Sequence, residues 1–143
     1  MTIDDIQNSI VEEFSVFDDW MDKYNVLIDY GKDLKMIDPR FKTKDFLIEG
    51  CQSKVWLHPE FSDGKITFSA DSDAIITRGI VALLIRVFSG RSPEEIIAAD
   101  LFFIDRIGLL QNLSPTRSNG LLSMIRQIKL YAMAYQAKEK GKN

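Results

Sequence analysis

The chain has 143 residues, 45% hydrophobic and 27% charged, the apolar content of one globular domain whose core forms without disulfide or metal staples. Its 18 Lys and Arg against 21 Asp and Glu give a net charge of -3, without the basic excess that a phosphate backbone demands, which excludes nucleic acid as a main partner. The single cysteine, Cys51, excludes an internal disulfide framework and any site needing two thiolates from one chain.

Thr2 is placed to cap a helix whose apolar residues Ile3, Ile6, Ile10 and Phe14 recur at spacings of three and four. The opening Met1-Thr2-Ile3-Asp4-Asp5 is acidic where a secretory signal is basic, so a cytoplasmic protein is expected. A second helix follows, capped by Asp18 or Asp19, with Trp20, Tyr24, Leu27 and Ile28 on one face and Gly31 as a left-handed end. Residues 33–45 mix charges, contain Asp38-Pro39 and show no period, which predicts a loop.

Strand character runs from Cys51 to Phe61, and Ile66, Phe68 and Ala70 alternate in a second run. Asp63-Gly64 between them supplies the positive φ angles of a tight turn, so the pair reads as an antiparallel hairpin. Asp71, Ser72 and Asp73 offer three caps for a helix from Ala74 to Phe88, apolar nearly all round and suited to the middle of the fold. Its stretch Gly79–Ile85, between Arg78 and Arg86, falls far short of the ~20 residues of a membrane span, so no membrane is expected.

Gly90 ends that helix, and Ser92-Pro93-Glu94-Glu95 is the start signature of a short one. Residues 100–113 are expected to be helical in part. The last helix starts near Ser114 or Ser118, carries Leu121, Ile125, Ile128, Ala132 and Tyr135 as its stripe, and ends in a lysine-rich tail, 138–143, expected to fray. Helices, then a hairpin, then more helices give a segregated α+β fold in one domain, 1–143. Neither G-x-x-x-x-G-K nor G-x-G-x-x-G occurs.

Cys51 lies in Glu49-Gly50-Cys51-Gln52-Ser53, where a glycine lets the backbone bend beside the thiol. A reactive loop thiol and a small core residue are both open readings. The one histidine, His58, is seven positions away, which on a regular strand is roughly 23 Å and the opposite face, so it reads as an exposed strand-end residue before Pro59 rather than a base. Without an activator the thiol keeps a pKa near ~8.5 and is only a few per cent thiolate at neutral pH. Asp71 and Asp73 read as caps rather than a cation site. In Ser114-Pro115-Thr116-Arg117-Ser118-Asn119-Gly120, a cation in a first turn and a glycine inside a helix both work against helix stability, unless the helix starts only at Ser118.

Gly50-Cys51-Gln52-Ser53-Lys54-Val55-Trp56, Asp71-Ser72-Asp73-Ala74 and Leu113-Ser114-Pro115-Thr116-Arg117-Ser118-Asn119-Gly120-Leu121 together resemble the SufE family of sulfur acceptors, which includes CsdE-like proteins, over nearly the whole chain. The resemblance implies a small antiparallel sheet with helices packed on one side, similar to the IscU scaffold fold. It implies that Cys51 takes persulfide sulfur from a pyridoxal phosphate-dependent cysteine desulfurase of the SufS or CsdA type, stimulating that enzyme, and delivers it toward an iron–sulfur scaffold. No cofactor or metal of its own is implied. Gly50, Gln52, Ser53, Asp73 and Arg117 become loop-setting or partner-contacting residues, on a loop that rests against an apolar surface and moves out on docking. One departure is Ala70, where relatives often carry glycine. The alternatives are a docking regulator of a desulfurase in which Cys51 merely packs, and an iron–sulfur scaffold, which lacks the cysteines to hold a cluster.

Overall fold

A computed structural model describes residues 1–35 and 37–141 of the chain. Thr2 caps helix α1 (Ile3–Ser15) reciprocally: its hydroxyl accepts from the Asp5 N–H at 3.0 Å and the Asp5 carboxylate accepts from the Thr2 N–H at 2.9 Å. Ile3, Ile10 and Phe14 of the expected stripe are buried. Asp19 caps α2 (Trp20–Lys32).

Gly31 does not turn the chain left-handed; α2 continues through it. Its smallness serves a helix crossing instead. A Cβ on Gly31 would lie 2.9 Å from the Gly79 nitrogen, and one on Gly79 2.1 Å from the Leu27 carbonyl oxygen, so α2 and α3 (Ile75–Phe88) meet backbone to backbone. The apolar α3 occupies the middle of the fold, in contact with α1, α2, the sheet and the last helix.

The hairpin forms as expected from β1 (Val55–Ser62) and β2 (Lys65–Ser72), with Val55 opposite Ser72 and Ser62 opposite Lys65. Asp63 and Gly64 both take positive φ, 55° and 75°, which matches the right-handed twist of the strands. Ala70 is fully buried within β2, opposite Leu57. The strand begins at Val55, not Cys51. Leu47 bridges to Trp56 and the Ile48 N–H donates to the Val55 carbonyl at 2.8 Å, so the chain doubles back and leaves 49–54 as a loop.

Val55, Leu57, Ile66, Phe68 and Ala70 turn one face of the hairpin to the helices, and Phe61 stacks on Tyr135. The opposite face is covered by a segment with two short 3₁₀ turns, Pro39–Phe41 and Lys44–Phe46. This is the expected loop, apart from Met36, which lies outside the described residues. It buries His58, stacked on Phe41 with ring centroids 3.6 Å apart and edge-on to Phe46. His58 is therefore not exposed: an aperiodic segment supplies the aromatic box that covers it.

Ser92 and Glu95 cap α4 (Pro93–Ala98) reciprocally, and α5 (Phe102–Arg106) gives 100–113 its helical part. The last helix, α6 (Pro115–Gly141), starts earlier than Ser118 because the Ser114 hydroxyl accepts from the Arg117 N–H at 3.2 Å. Leu121, Ile128 and Ala132 of its stripe are buried, with Ile125 and Tyr135 partly so. The expected fraying does not appear before Gly141; Lys142 and Asn143 lie outside the described residues. The result is an α+β fold of helices and a two-stranded antiparallel sheet. No helix among the described residues is long and apolar enough to cross a membrane.

Candidate functional site

The loop 49–54 is pinned at its base from both sides. Ile48 is bonded to Val55 on one side, and on the other the Lys54 N–H donates to Asp73 Oδ1 at 3.0 Å while the Asp73 N–H donates to the Lys54 carbonyl at 3.2 Å. Asp71, Ser72 and Asp73 therefore do not cap α3, whose N-cap is Ala74 without a side-chain bond. Strand pairing runs through Ser72 and claims them first. Asp71 is buried between Lys42 at 2.6 Å and Arg78 at 3.1 Å, and Ser72 Oγ accepts from the Ala74 N–H at 3.2 Å.

Within the loop, Gly50 takes φ +89°, a conformation that side chains disfavour, and a Cβ there would lie 2.5 Å from Ser123 Oγ on α6. Cys51 follows with its sulfur against the same helix, 3.6 Å from the Gly120 carbonyl oxygen, within reach of a weak S–H donation. The thiol is half-buried. It forms part of the wall of a cavity of about 270 Å³ with Gln52 and Ser53, closed by Thr77 and Ile80 of α3 and by Arg117 and Met124 of α6. A larger cleft of about 580 Å³, between residues 35 and 37–41 and the hairpin, has no cysteine or histidine among the described residues of its lining; the thiol lies at the smaller cavity.

Burial pushes the Cys51 thiol above its ordinary range. Among the described residues Arg117 is the only charged side chain lining the cavity, and it stands in the first turn of α6, whose positive end also favours an anion. In the resting thiol burial alone sets the direction. His58 is boxed by Phe41 and Phe46 on the other face of the sheet and is no base for it. Among the described residues no three His, Cys, Asp or Glu side chains cluster as metal ligands.

Cys51, Gln52, Ser53 and Arg117 thus line one cavity, Gly50 bends the chain into it, and Asp73 ties its loop at the base. Sequence reasoning did not place Gly120, Ser123, Thr77, Ile80 or Met124 there. Gly120 alone carried a signal, as a glycine inside a helix.

A family model described as "SufE: Fe-S metabolism associated domain" matches residues 8–132. The chain is 40% identical over 127 residues to an uncharacterised SufE-like protein of Rhizobium meliloti, covering 85% of this chain and 91% of that one. It is 35% identical over 127 residues to a SufE-like protein of Synechocystis, covering 89% and 80%. Against "SufE-like protein 1, chloroplastic/mitochondrial" of Arabidopsis thaliana the identity is 38% over 130 residues, spanning 90% of this chain but 35% of that protein. The solution structure of a hypothetical protein from Thermus thermophilus has the same fold, with TM-score 0.76 at 19% identity, covering 92% of this chain and 96% of that one.

Proposed function

The chain belongs to the SufE family and has a role in iron–sulfur metabolism, and from that premise we propose that Cys51 is a sulfur acceptor and carrier. The donor is the persulfide of a pyridoxal phosphate-dependent cysteine desulfurase, whose cofactor stays with that enzyme. Cys51 loses its proton, and the thiolate attacks the terminal sulfur of the donor persulfide. A new sulfur–sulfur bond forms at Cys51, the donor's bond breaks, and the donor cysteine leaves as a thiolate that takes up a proton. No external oxidant or reductant enters. A second exchange hands the sulfur to an iron–sulfur scaffold.

The observation that carries this reading is the position of Cys51: near the apex of a loop whose backbone is bonded at its base, with its thiol half-buried against α6 through one weak hydrogen bond and no base beside it. Such a thiol reacts slowly alone and needs a partner that draws it out and brings the reactive sulfur. In this reading Gly50 sets the bend, Asp73 holds the base, and Gln52, Ser53 and Arg117 face the arriving enzyme. A lone thiol working by exchange suits a reducing compartment such as the cytoplasm.

The test compares desulfurase turnover with the native chain and with Cys51→Ser. Native protein accelerates turnover and the serine variant does not, although it still binds the enzyme. Equal stimulation by both would show that docking suffices and would reject transfer through Cys51.

A further inference from the structure

Charge is segregated along this chain. The first 22 residues carry seven acids and no base, whereas α6 from Pro115 to Lys138 carries Arg117, Arg126, Lys129 and Lys138 and no acid. Large exposed apolar side chains fall in the same two places. Val16 and Met21, 74% and 67% exposed, flank the turn between α1 and α2 amid the exposed Glu12, Asp18 and Asp22. On α6, Leu122, Leu130 and Met133 are each 49% exposed.

Leu122, Arg126, Leu130 and Met133 follow one another at spacings of four, four and three, so they form one stripe, on the side of α6 turned away from the buried Met124 and Ile128. Asp45 and Glu49 border a surface cleft with Arg126 but make no ion pair with it. Among the described residues Arg126, Asp18 and Asp22 all lack an ion-pair partner, so both charged apolar patches face solvent unmatched.

We propose that the exposed stripe of α6 docks the acidic α1–α2 corner of a second copy of this chain. The complement of a basic apolar stripe is an acidic apolar surface, and the chain itself presents one around Val16 and Met21. Two α6 stripes would instead set base against base. Because the two faces differ, the contact is heterologous and copies add head to tail. The patches are small and charged, which makes the association weak, reversible and sensitive to salt. Nothing in it depends on Cys51.

The experiment is sedimentation velocity of the full chain over about a hundredfold range of concentration, at about 20 mM and about 500 mM salt. At low salt the average mass rises with concentration toward about twice that of one chain, and at high salt it returns to that of one chain. Arg126→Glu and Asp18→Lys, both at exposed positions, each weaken association about tenfold when tested alone. Mixed in equal amounts they associate again, because the Asp18→Lys copy keeps a basic α6 for the acidic corner of the Arg126→Glu copy. Leu130→Ser weakens native association without changing any charge. A chain that stays single at every concentration in low salt leaves these faces to some other protein and overturns the proposal. So does association that Asp18→Lys leaves unchanged, which would put a different surface on α6, and so does a mixture that associates no better than either variant alone.

Discussion

Lys54 and Asp73 close a ring across the mouth of the hairpin: the Lys54 N–H donates to the Asp73 carboxylate at 3.0 Å, and the Asp73 N–H donates back to the Lys54 carbonyl at 3.2 Å. The ladder is thereby extended one step beyond the Val55–Ser72 pair, with a side chain in place of a strand residue. Asp73→Ala removes one of the two bonds. Because Lys54 is exposed, water satisfies its freed N–H and stability falls by only about 1 kcal/mol. Alkylation of Cys51 becomes faster as the base of its loop loosens. A native alkylation rate in a folded Asp73→Ala protein contradicts the role given to this ring.

Gly50 is under two constraints, its φ of +89° and the 2.5 Å gap between a Cβ there and Ser123 Oγ. Gly50→Ala is expected to cost about 1–2 kcal/mol in denaturant melts. Adding Ser123→Ala removes the close contact with Oγ without a further glycine in α6, but not the strained φ, so it recovers part of the loss. Full recovery would mean that the φ carries no strain, and no loss at all would mean that the bend is not needed.

Most local signals in this sequence were legible, Gly31 as a left-handed helix end being the exception. The Thr2 cap, the Asp63-Gly64 turn and the Ser92 cap each lie within a few residues, and each formed as its residue types demand. Asp71-Ser72-Asp73 shows where that reasoning stops. Three good caps in a row became strand pairing, a buried ion pair and a loop anchor, because Lys42, Arg78 and Lys54 are their partners and no local pattern names them. The burial of His58 was hidden for the same reason, since Phe41 and Phe46 reach it from a segment without period. At the site, the string around Cys51 was readable. Gly120 could be seen as a cost to its helix, but the residue that packs against it, Cys51, lies 69 positions away.

His58 and Asp71 give folding a two-stage response to acid. Burial holds His58 below its ordinary value of 6.5, with Arg40 acting the same way and Glu60 and Asp38 against it. Its stabilising contribution is complete above that value and is lost as the pH falls through it toward the lower folded value. For Asp71, burial pushes the carboxyl up, but hydrogen bonds from Lys42 and Ser72 and the charge of Arg78 outweigh it and bring it below 3.8. Its contribution persists above 3.8 and is lost as the pH falls further. His58 is the chain's only histidine. Melting temperatures between about pH 7 and pH 5 therefore decline in native protein and stay level in His58→Phe, which keeps the stack on Phe41. Parallel curves would refute the assignment.

The central claim is that a sulfur atom moves onto Cys51, and the direct measurement is the mass of the Cys51 peptide after a single turnover. A desulfurase charged with isotopically labelled sulfur is mixed with the native chain, quenched with an alkylating agent and digested. The account predicts the label on Cys51 as one added sulfur, about 32 Da for the unlabelled atom, appearing as the desulfurase loses it. Label that leaves the enzyme as free sulfide while Cys51 keeps its unmodified mass would contradict it.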